Sequence, residues 1–499
     1  MPSRRGSTRL ASRRLPADRT TAEGARTHAV RGEQRGDRVN IRESSHGYWS
    51  SSRNFVWVAA GATIGISNLT RVPYLMGEYG GSAFLLVYML SLLLIAAPLL
   101  AAEWMLGRWA RDDLIAGFAR LADAASARRA WKLVGGMALA GAVLILSYYS
   151  IIAGWSMAYT FRVASGALSG VGEQAATEVF LELARDPERS LSWHTLFMVI
   201  ACVVVAHGFR EGIERAAIRL MPSAALLLLA LCCYAVATTD AMPALRWLLL
   251  PDFSRLGWRG VIEAMHQAFF TMSLGIGVMM NLGVYLAVAA PVKRLALSIL
   301  LIDLAFSLIA GVALFTMIFA AGLQPAPGLA LIFQVVPRSL PSSVGGTLFG
   351  VGFFTALFIV TLCSATALLE PLTRYLIDRL RWTRVFAATS SALMIWYLGL
   401  GSLLSFSVIQ DFELAGRNFF EWVQFLTASW LAPATGLLVC VFVVSIMPRD
   451  LISAMWGDRD RWLYPAWFFA LRYPARLSLI VVLLYASGVL DWLVRFWTG

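Results

Sequence analysis

The chain has 499 residues, of which 58% are hydrophobic and only 14% charged, and its formal net charge is +12. Ordinary soluble domains carry about 25% charged residues, so a water-soluble enzyme and a disordered protein are both excluded as whole-chain descriptions. A mean hydropathy of +0.67, with 18 Trp, 28 Phe and 14 Tyr, fits a lipid bilayer as solvent with aromatic residues at its interfaces.

Residues 1–52 are rich in Arg, Ser, Thr, Ala and Gly and lack large apolar clusters. That composition predicts a disordered, basic cytoplasmic arm. Arg4-Arg5 and Arg13-Arg14 are followed by no apolar core within reach, so a twin-arginine signal is a poor reading. Beyond the arm, apolar stretches long enough to cross a hydrocarbon core recur. They lie near 54–79, 82–107, 131–162, 191–209, 215–238, 260–287, 292–322, 344–377, 382–407, 418–447 and 466–496, which makes eleven spans.

The connections orient the chain. Arginines gather in the arm, in the 2–3 connection (Arg108, Arg111, Arg120, Arg128, Arg129), in the 4–5 connection (Arg210, Arg215, Arg219) and in the 8–9 connection (Arg374, Arg379, Arg381, Arg384). Lys293 and Arg294 mark the 6–7 turn, and Arg449, Arg459 and Arg461 the 10–11 loop. The 3–4 loop is acidic instead, with Glu173, Glu178, Glu182, Asp186 and Glu188. The positive-inside rule then puts the N-terminus in the cytoplasm, and an odd span count puts the C-terminus outside a plasma (inner) membrane. This arrangement also makes nucleic acid a weak explanation of the basic charge. Cys202, Cys232, Cys233, Cys363 and Cys440 all lie in apolar stretches, which argues against a disulfide framework or a CxxC metal site.

Two spans are interrupted. The first contains Gly61-Ala62-Thr63-Ile64-Gly65-Ile66-Ser67-Asn68, followed by Arg71 and Pro73, and the sixth contains Phe270-Thr271-Met272-Ser273-Leu274-Gly275-Ile276-Gly277. A lipid-facing helix has little use for Gly, Ser, Asn and Arg at mid-depth. Gly61-x-x-x-Gly65 alone suits helix packing, but its polar neighbours and the echo five spans later favour unwound helices at matching places in two halves, the sequence pointer to a transporter site. Unwinding frees carbonyls for a cation and N–H groups for an anion such as a carboxylate. No strand precedes Gly275-Ile276-Gly277, so a dinucleotide loop is excluded.

Gly65-Ile66-Ser67-Asn68-Leu69-Thr70-Arg71-Val72-Pro73-Tyr74 and Glu78-Tyr79-Gly80-Gly81-Ser82-Ala83-Phe84 resemble the first-helix signature of neurotransmitter:sodium symporters. Glu103-Trp104-Met105-Leu106-Gly107-Arg108, Tyr148-Tyr149, Gly212-Ile213-Glu214-Arg215 and Gln267 through Gly275 extend the resemblance, which runs from about Trp49 to the end and matches the bacterial eleven-helix branch. It implies an all-α, LeuT-like fold: an arm at 1–52, inverted five-helix repeats at 53–238 and 239–447, and a loop with the eleventh helix at 448–499. It further implies sodium-coupled symport of an amino acid or related zwitterion by alternating access.

Carried over residue by residue, the resemblance implies one sodium site at the Thr63 carbonyl, Asn68, Thr271 and Asp303. A second would use carbonyls of Gly61, Ile64 and Val360 with Cys363 and Ser364. The substrate would meet Thr63, Gly65, Ile66, Ser67, Ile145, Tyr149, Phe270, Thr271, Ser273, Ile276, Ser364 and Leu368, with Tyr149 donating to its carboxylate. Gly65 stands where monoamine members carry Asp, which favours a substrate bearing its own carboxylate. Arg71 and Phe270 would form the outer gate, and Trp49, Tyr285 and Asp378 the inner one.

Several positions depart from the family pattern. Ser67 replaces a glycine and narrows the carboxylate corner. Cys363 replaces a threonine, and sulfur is a poor ligand for a hard cation, so that site is expected to be weakened, shifted or lost. Gln424 stands where an aspartate should face Arg71, which leaves Glu421, one turn away, as the expected partner. His46 replaces an arginine of the inner gate, with Arg42 or Arg53 as candidate substitutes. Asp303 stands where Asn is usual, and an intramembrane carboxylate there is expected to supply the charge that chloride gives other members. A substrate-binding sensor without transport and a proton-coupled carrier remain alternatives on the same fold. An enzyme is not expected: there is no HExxH and no P-loop, and His207 and His266 are isolated in apolar stretches. No sequence feature fixes an oligomeric state.

Overall fold

The computed structural model describes residues 47–168, 170–456, 458–490 and 492. The arm up to residue 46, with Arg42 and His46, lies outside the described residues. Among those described there are helices and turns and one isolated bridge, Leu414 to Arg417, but no strand.

Among the described residues nine helices are long and apolar enough to cross a membrane: Ser82–Ala110, Arg129–Ala164, Pro187–Ala206, Phe209–Thr238, Val292–Ala320, Val344–Leu380, Arg384–Leu404, Phe419–Ile446 and Arg461–Ala486. The two interrupted segments complete eleven. Span one is Ser52–Thr63, Ile66–Leu69 and Arg71–Glu78, and span six is Phe253–Thr271 and Val278–Val284. Ser52–Thr63 and Val278–Val284 are too short to cross alone, and Phe253–Thr271, 19 residues long, carries Arg255, Arg259 and Glu263 among its apolar residues.

The structure corrects several boundaries. Span five begins at Phe209, so Arg210 and Arg215 sit in its first turns and not in a connection. Span eight runs to Leu380, which places Arg374 inside a helix, where it is buried. The connections hold helices that hydropathy passes over. Leu114–Ala124 is started by Asp113, whose carboxylate accepts from Ile115 N and Ala116 N at 3.0 Å each, and it buries Leu114, Phe118, Leu121 and Ala122. At the other end of the bundle, Glu173–Arg185 packs against a short helical stretch at 331–338.

Spans three and eight make the main packing contact and carry spans four and nine at their flank. Span two packs along both halves of span six. Glycines permit this close approach. A Cβ on Gly107 would strike the Met280 carbonyl, and one on Gly283 would lie 2.6 Å from the Trp104 carbonyl. Each helix therefore sinks a glycine into the other's main chain.

Candidate functional site

The first break is local and abrupt. Ile64 closes the first half-helix with its N–H on the Ala60 carbonyl and then turns extended (φ −80°, ψ 118°). Gly65 stays extended, and its N–H donates to Asn68 Oδ1 at 3.0 Å, which starts the next turn. In the second break Ser273 takes a left-handed φ of +51°, as do Gly275 and Gly277 at +72° each. A serine there is strained. It is held by its N–H on the Phe270 carbonyl at 3.0 Å and by its hydroxyl on the Ala62 carbonyl at 2.7 Å. The second of these bonds ties one break to the other. Gly275 N–H donates to the buried Glu103 carboxylate at 2.8 Å, so span two supplies the acceptor that the unwound turn lacks.

Between the breaks lies a cavity of about 450 Å³. All of Thr63, Gly65, Ile66, Ser67, Ile145 and Tyr149 line it, as do Phe270, Thr271, Ser273, Ile276, Ser364 and Leu368. The Tyr149 hydroxyl is buried and makes no well-formed hydrogen bond, with the Ser364 hydroxyl and the Ile66 main chain beside it. It faces Gly65, where a Cβ would come within 2.8 Å of that oxygen. The Ser67 hydroxyl lines the same corner and accepts from Gln267 Nε2 at 2.8 Å. Sequence reasoning missed part of the wall: Tyr148, Ile152, Leu329, Ile332, Phe406 and Phe420. Leu329 and Ile332 come from the short helical stretch 329–338 between spans seven and eight, whose apolar run is too short to register as a span.

Two oxygen-rich clusters flank the cavity. In one, Asn68 Nδ2 donates to Asp303 Oδ1 at 2.7 Å, Thr271 Oγ1 at 3.1 Å and Ser307 Oγ at 3.2 Å. Thr271 Oγ1 donates to Asp303 Oδ1 at 3.1 Å, and Tyr88 Oη to Asp303 Oδ2 at 3.3 Å. Asp303 is fully buried, and no basic side chain of the described residues forms an ion pair with it. In the other, the Ser364 hydroxyl faces the carbonyls of Gly61 (3.0 Å), Ile64 (2.8 Å) and Val360 (3.1 Å). One O–H proton cannot serve three carbonyls. Val360 also serves its own unbroken helix, so the carbonyls left over are those of Gly61 and Ile64 where the first half-helix ends, and such oxygens are the donor chemistry of a hard-cation site. Cys363 is buried beside it, with its Cβ 3.0 Å from where a Cβ on Gly61 would stand.

The closure on the Arg71 side differs from the sequence expectation. Arg71 pairs with Glu263 of span six at 3.2 Å, not with Glu421. The reason is local: Glu421 is the third residue of its helix and closes a capping box, its carboxylate accepting from Asn418 N at 3.1 Å. Glu421, Gln424, Arg71 and Phe270 all line the cavity.

The opposite end is sealed. Trp49 N donates to the Tyr285 carbonyl at 3.1 Å, and Trp49 Nε1 to the Leu282 carbonyl at 3.2 Å. Asp378 pairs with Arg374 of its own helix at 3.1 Å, and the Arg374 guanidinium lies 5.0 Å from the centre of the Tyr285 ring. The residue that ties this end together is Glu370, which the sequence did not single out. It accepts from Tyr285 Oη at 3.1 Å and from both Nη atoms of Arg384, at 2.8 and 2.5 Å. From span two, Arg111 donates to the Val284 carbonyl, and to that of Leu286 at 2.7 Å.

Comparison with known proteins fits this arrangement. A family model described as the sodium:neurotransmitter symporter family matches residues 46–174 and 180–447. The uncharacterized sodium-dependent transporter YhdH of Bacillus subtilis is 33% identical over 446 residues, covering 89% of this chain and 98% of that protein. The sodium- and chloride-dependent GABA transporter 2 of Macaca fascicularis is 23% identical, over 83% of this chain and 73% of that protein. The crystal structure of MhsT in complex with L-phenylalanine is similar with a TM-score of 0.80 at 35% identity, covering 88% of this chain and 99% of that one. The relatives are transporters and the fold is the all-helical LeuT-like one, so the protein is a multi-pass membrane transporter and not an enzyme. With more than half its length matched by one family model, the chain belongs to the sodium:neurotransmitter symporter family.

Proposed function

We propose that the protein is a symporter that draws an amino acid with a large apolar side chain through the membrane on the sodium gradient, by alternating access. The observation that carries this reading is the cavity between two broken helices, with the Tyr149 hydroxyl aimed at Gly65. The substrate carboxylate accepts from Tyr149 and from the N–H groups that open the half-helix at Ile66. The side chain lies among Ile145, Phe270, Ile276 and Leu368. The complex of the similar MhsT with L-phenylalanine supports this class of substrate.

Sodium enters as co-substrate. One ion sits among Asp303, Thr271, Asn68 and the Thr63 carbonyl. A half-turn of the Asn68 amide would present Oδ1 to the oxygens that now converge on Nδ2. A second ion uses the carbonyls around Ser364, less tightly because Cys363 offers sulfur there. Sodium and substrate favour different states of the bundle, and their differential affinity drives the cycle. The Arg-rich connections support a cytoplasmic N-terminus, an outer mouth at Arg71 and an inner seal at Trp49 and Tyr285, with inverted repeats over 53–238 and 239–447 behind an arm at 1–52.

The test is thermal-shift screening of the purified protein against the amino acids, with sodium or choline, followed by uptake into proteoliposomes. A shift for phenylalanine that needs sodium, with sodium-driven accumulation, is the expected result. Binding without uptake or counterflow would make the protein a sensor, and accumulation in choline driven by a pH gradient would make it a proton-coupled carrier.

A further inference from the structure

The last span carries two arginines where hydrocarbon is expected. Arg472 and Arg476 lie one helical turn apart inside Arg461–Ala486. Arg472 is exposed and Arg476 partly so, and Phe469, Tyr473, Leu477 and Ile480 on the same side are exposed apolar residues. A cation presented to lipid is costly and marks a functional site by default. Side chains on a helix lean toward its N-terminus, so both arginines reach toward the end of the bundle where Arg461 lies.

Arg476 shows where that reach ends. Its Nη2 donates to the Cys440 carbonyl at 3.1 Å and to Ser445 Oγ at 2.8 Å, both in the closing turns of Phe419–Ile446. Ser445 is exposed, and so are Pro448, Arg449 and Asp450, which follow it. The guanidinium is therefore held where span ten leaves the membrane. Arg449 stands at the same place, its guanidinium 5.5 Å from the centre of the Phe468 ring. Phe468, Arg472 and Arg476 recur every four residues and form one stripe of the helix. No carboxylate of the described residues forms an ion pair with Arg449, Arg472 or Arg476; the acidic residue nearest in sequence is Asp450, beside Arg449.

We propose that the groove between the end of span ten and span eleven binds the phosphate of an anionic membrane lipid. Arg472 grips the phosphate oxygens, a geometry that planar guanidinium groups favour, and Arg476, whose Nη2 is held by span ten and whose Nε is buried, adds its charge beside it. The Ser445 hydroxyl, already accepting from Arg476, has its own proton to donate, and Arg449 closes the mouth. The acyl chains lie along Phe469, Tyr473, Leu477 and Ile480. That apolar strip favours a lipid over free phosphate, and basic pockets between helices at the cytoplasmic side suit anionic headgroups. The site uses the orientation proposed above but none of the transport residues.

The full chain is reconstituted in phosphatidylcholine bilayers with and without phosphatidylglycerol, and retained lipid is counted by native mass spectrometry. The wild type is expected to retain phosphatidylglycerol and to melt at a higher temperature with it. R472Q with R476Q should lower retention at least fivefold while melting like the wild type in phosphatidylcholine alone. R476K, which keeps the charge and loses the fork, should fall between. Should the double variant fold poorly, R472Q alone gives the same reading. Retention unchanged in these variants overturns the proposal. So does an equal loss in R294Q, an exposed arginine expected at the same end, since that result means diffuse charge attraction. Inorganic phosphate giving the same stabilisation without lipid also overturns it. Sodium-dependent amino-acid binding should survive in R472Q/R476Q, so failure here is separable from failure of the transport reading.

Discussion

The Tyr149 hydroxyl is buried and makes no well-formed hydrogen bond, with Ser364 and the Ile66 main chain beside it, so a ligand that offers it an acceptor gains a bond the empty site lacks. Tyr149→Phe should therefore leave the fold intact and weaken substrate by about 1.5–3 kcal/mol, the worth of a hydrogen bond to a charged group. Equilibrium binding of labelled phenylalanine should show a roughly ten- to hundredfold loss of affinity. An unchanged dissociation constant would remove the carboxylate from that corner. Cys363 gives a prediction of the opposite sign. Cys363→Thr replaces sulfur by oxygen beside the two carbonyls freed at the break and should lower the sodium concentration needed for half-maximal uptake. A rise in that concentration would show that the thiol is not beside an ion. An ionised Asp303 would bring a negative charge to the other cluster, so on that proposal replacing chloride with gluconate should leave uptake unaltered; a collapse would show that an outside anion is required.

At the scale of single helices, the breaks were legible and their partners were not. Gly65, Ser67 and Asn68 announce a polar interruption because no lipid-facing helix tolerates them together, and the chain does unwind there. Leu114–Ala124 could also have been found: Asp113 is a good cap, and Leu114, Phe118 and Leu121 repeat at helical spacing. The capping box at Asn418 and Glu421 was equally readable, and it would have warned that Glu421 was already engaged. Nothing local in the sequence links Arg71 to Glu263, 192 residues away, nor Glu370 to Tyr285 and Arg384. Such pairs are set by how whole helices cross. Glu370→Gln removes one partner of a buried ion pair, a change that costs about 3–5 kcal/mol. It should loosen the sealed end, and amide exchange over 282–288 should quicken while that in span three stays slow. Equal exchange in wild type and variant would mean that the latch does not hold that end.

For the whole molecule, hydropathy and the distribution of arginines gave eleven crossings, because the bilayer demands length and the loops carry the charge. Their arrangement around two breaks came through resemblance and not through periodicity. The bundle is caught with one mouth sealed by Trp49, Tyr285 and Glu370 and with a cavity reaching Arg71, Glu421 and Gln424. On the transport reading proposed above this is one station of a cycle, and a ligand that binds another station better will shift the population toward it.

The glycine contacts of span two with the second half of span six, Val278–Val284, carry a last consequence. With Gly107 seated on the Met280 carbonyl and Gly283 on that of Trp104, neither rod can slide or swivel against its neighbour, and the two should travel as a single lever. A covalent tether introduced across that seam ought to be silent in a counterflow assay. One bridging the same half-helix to span eight, near Glu370, should freeze the machine with its cargo aboard.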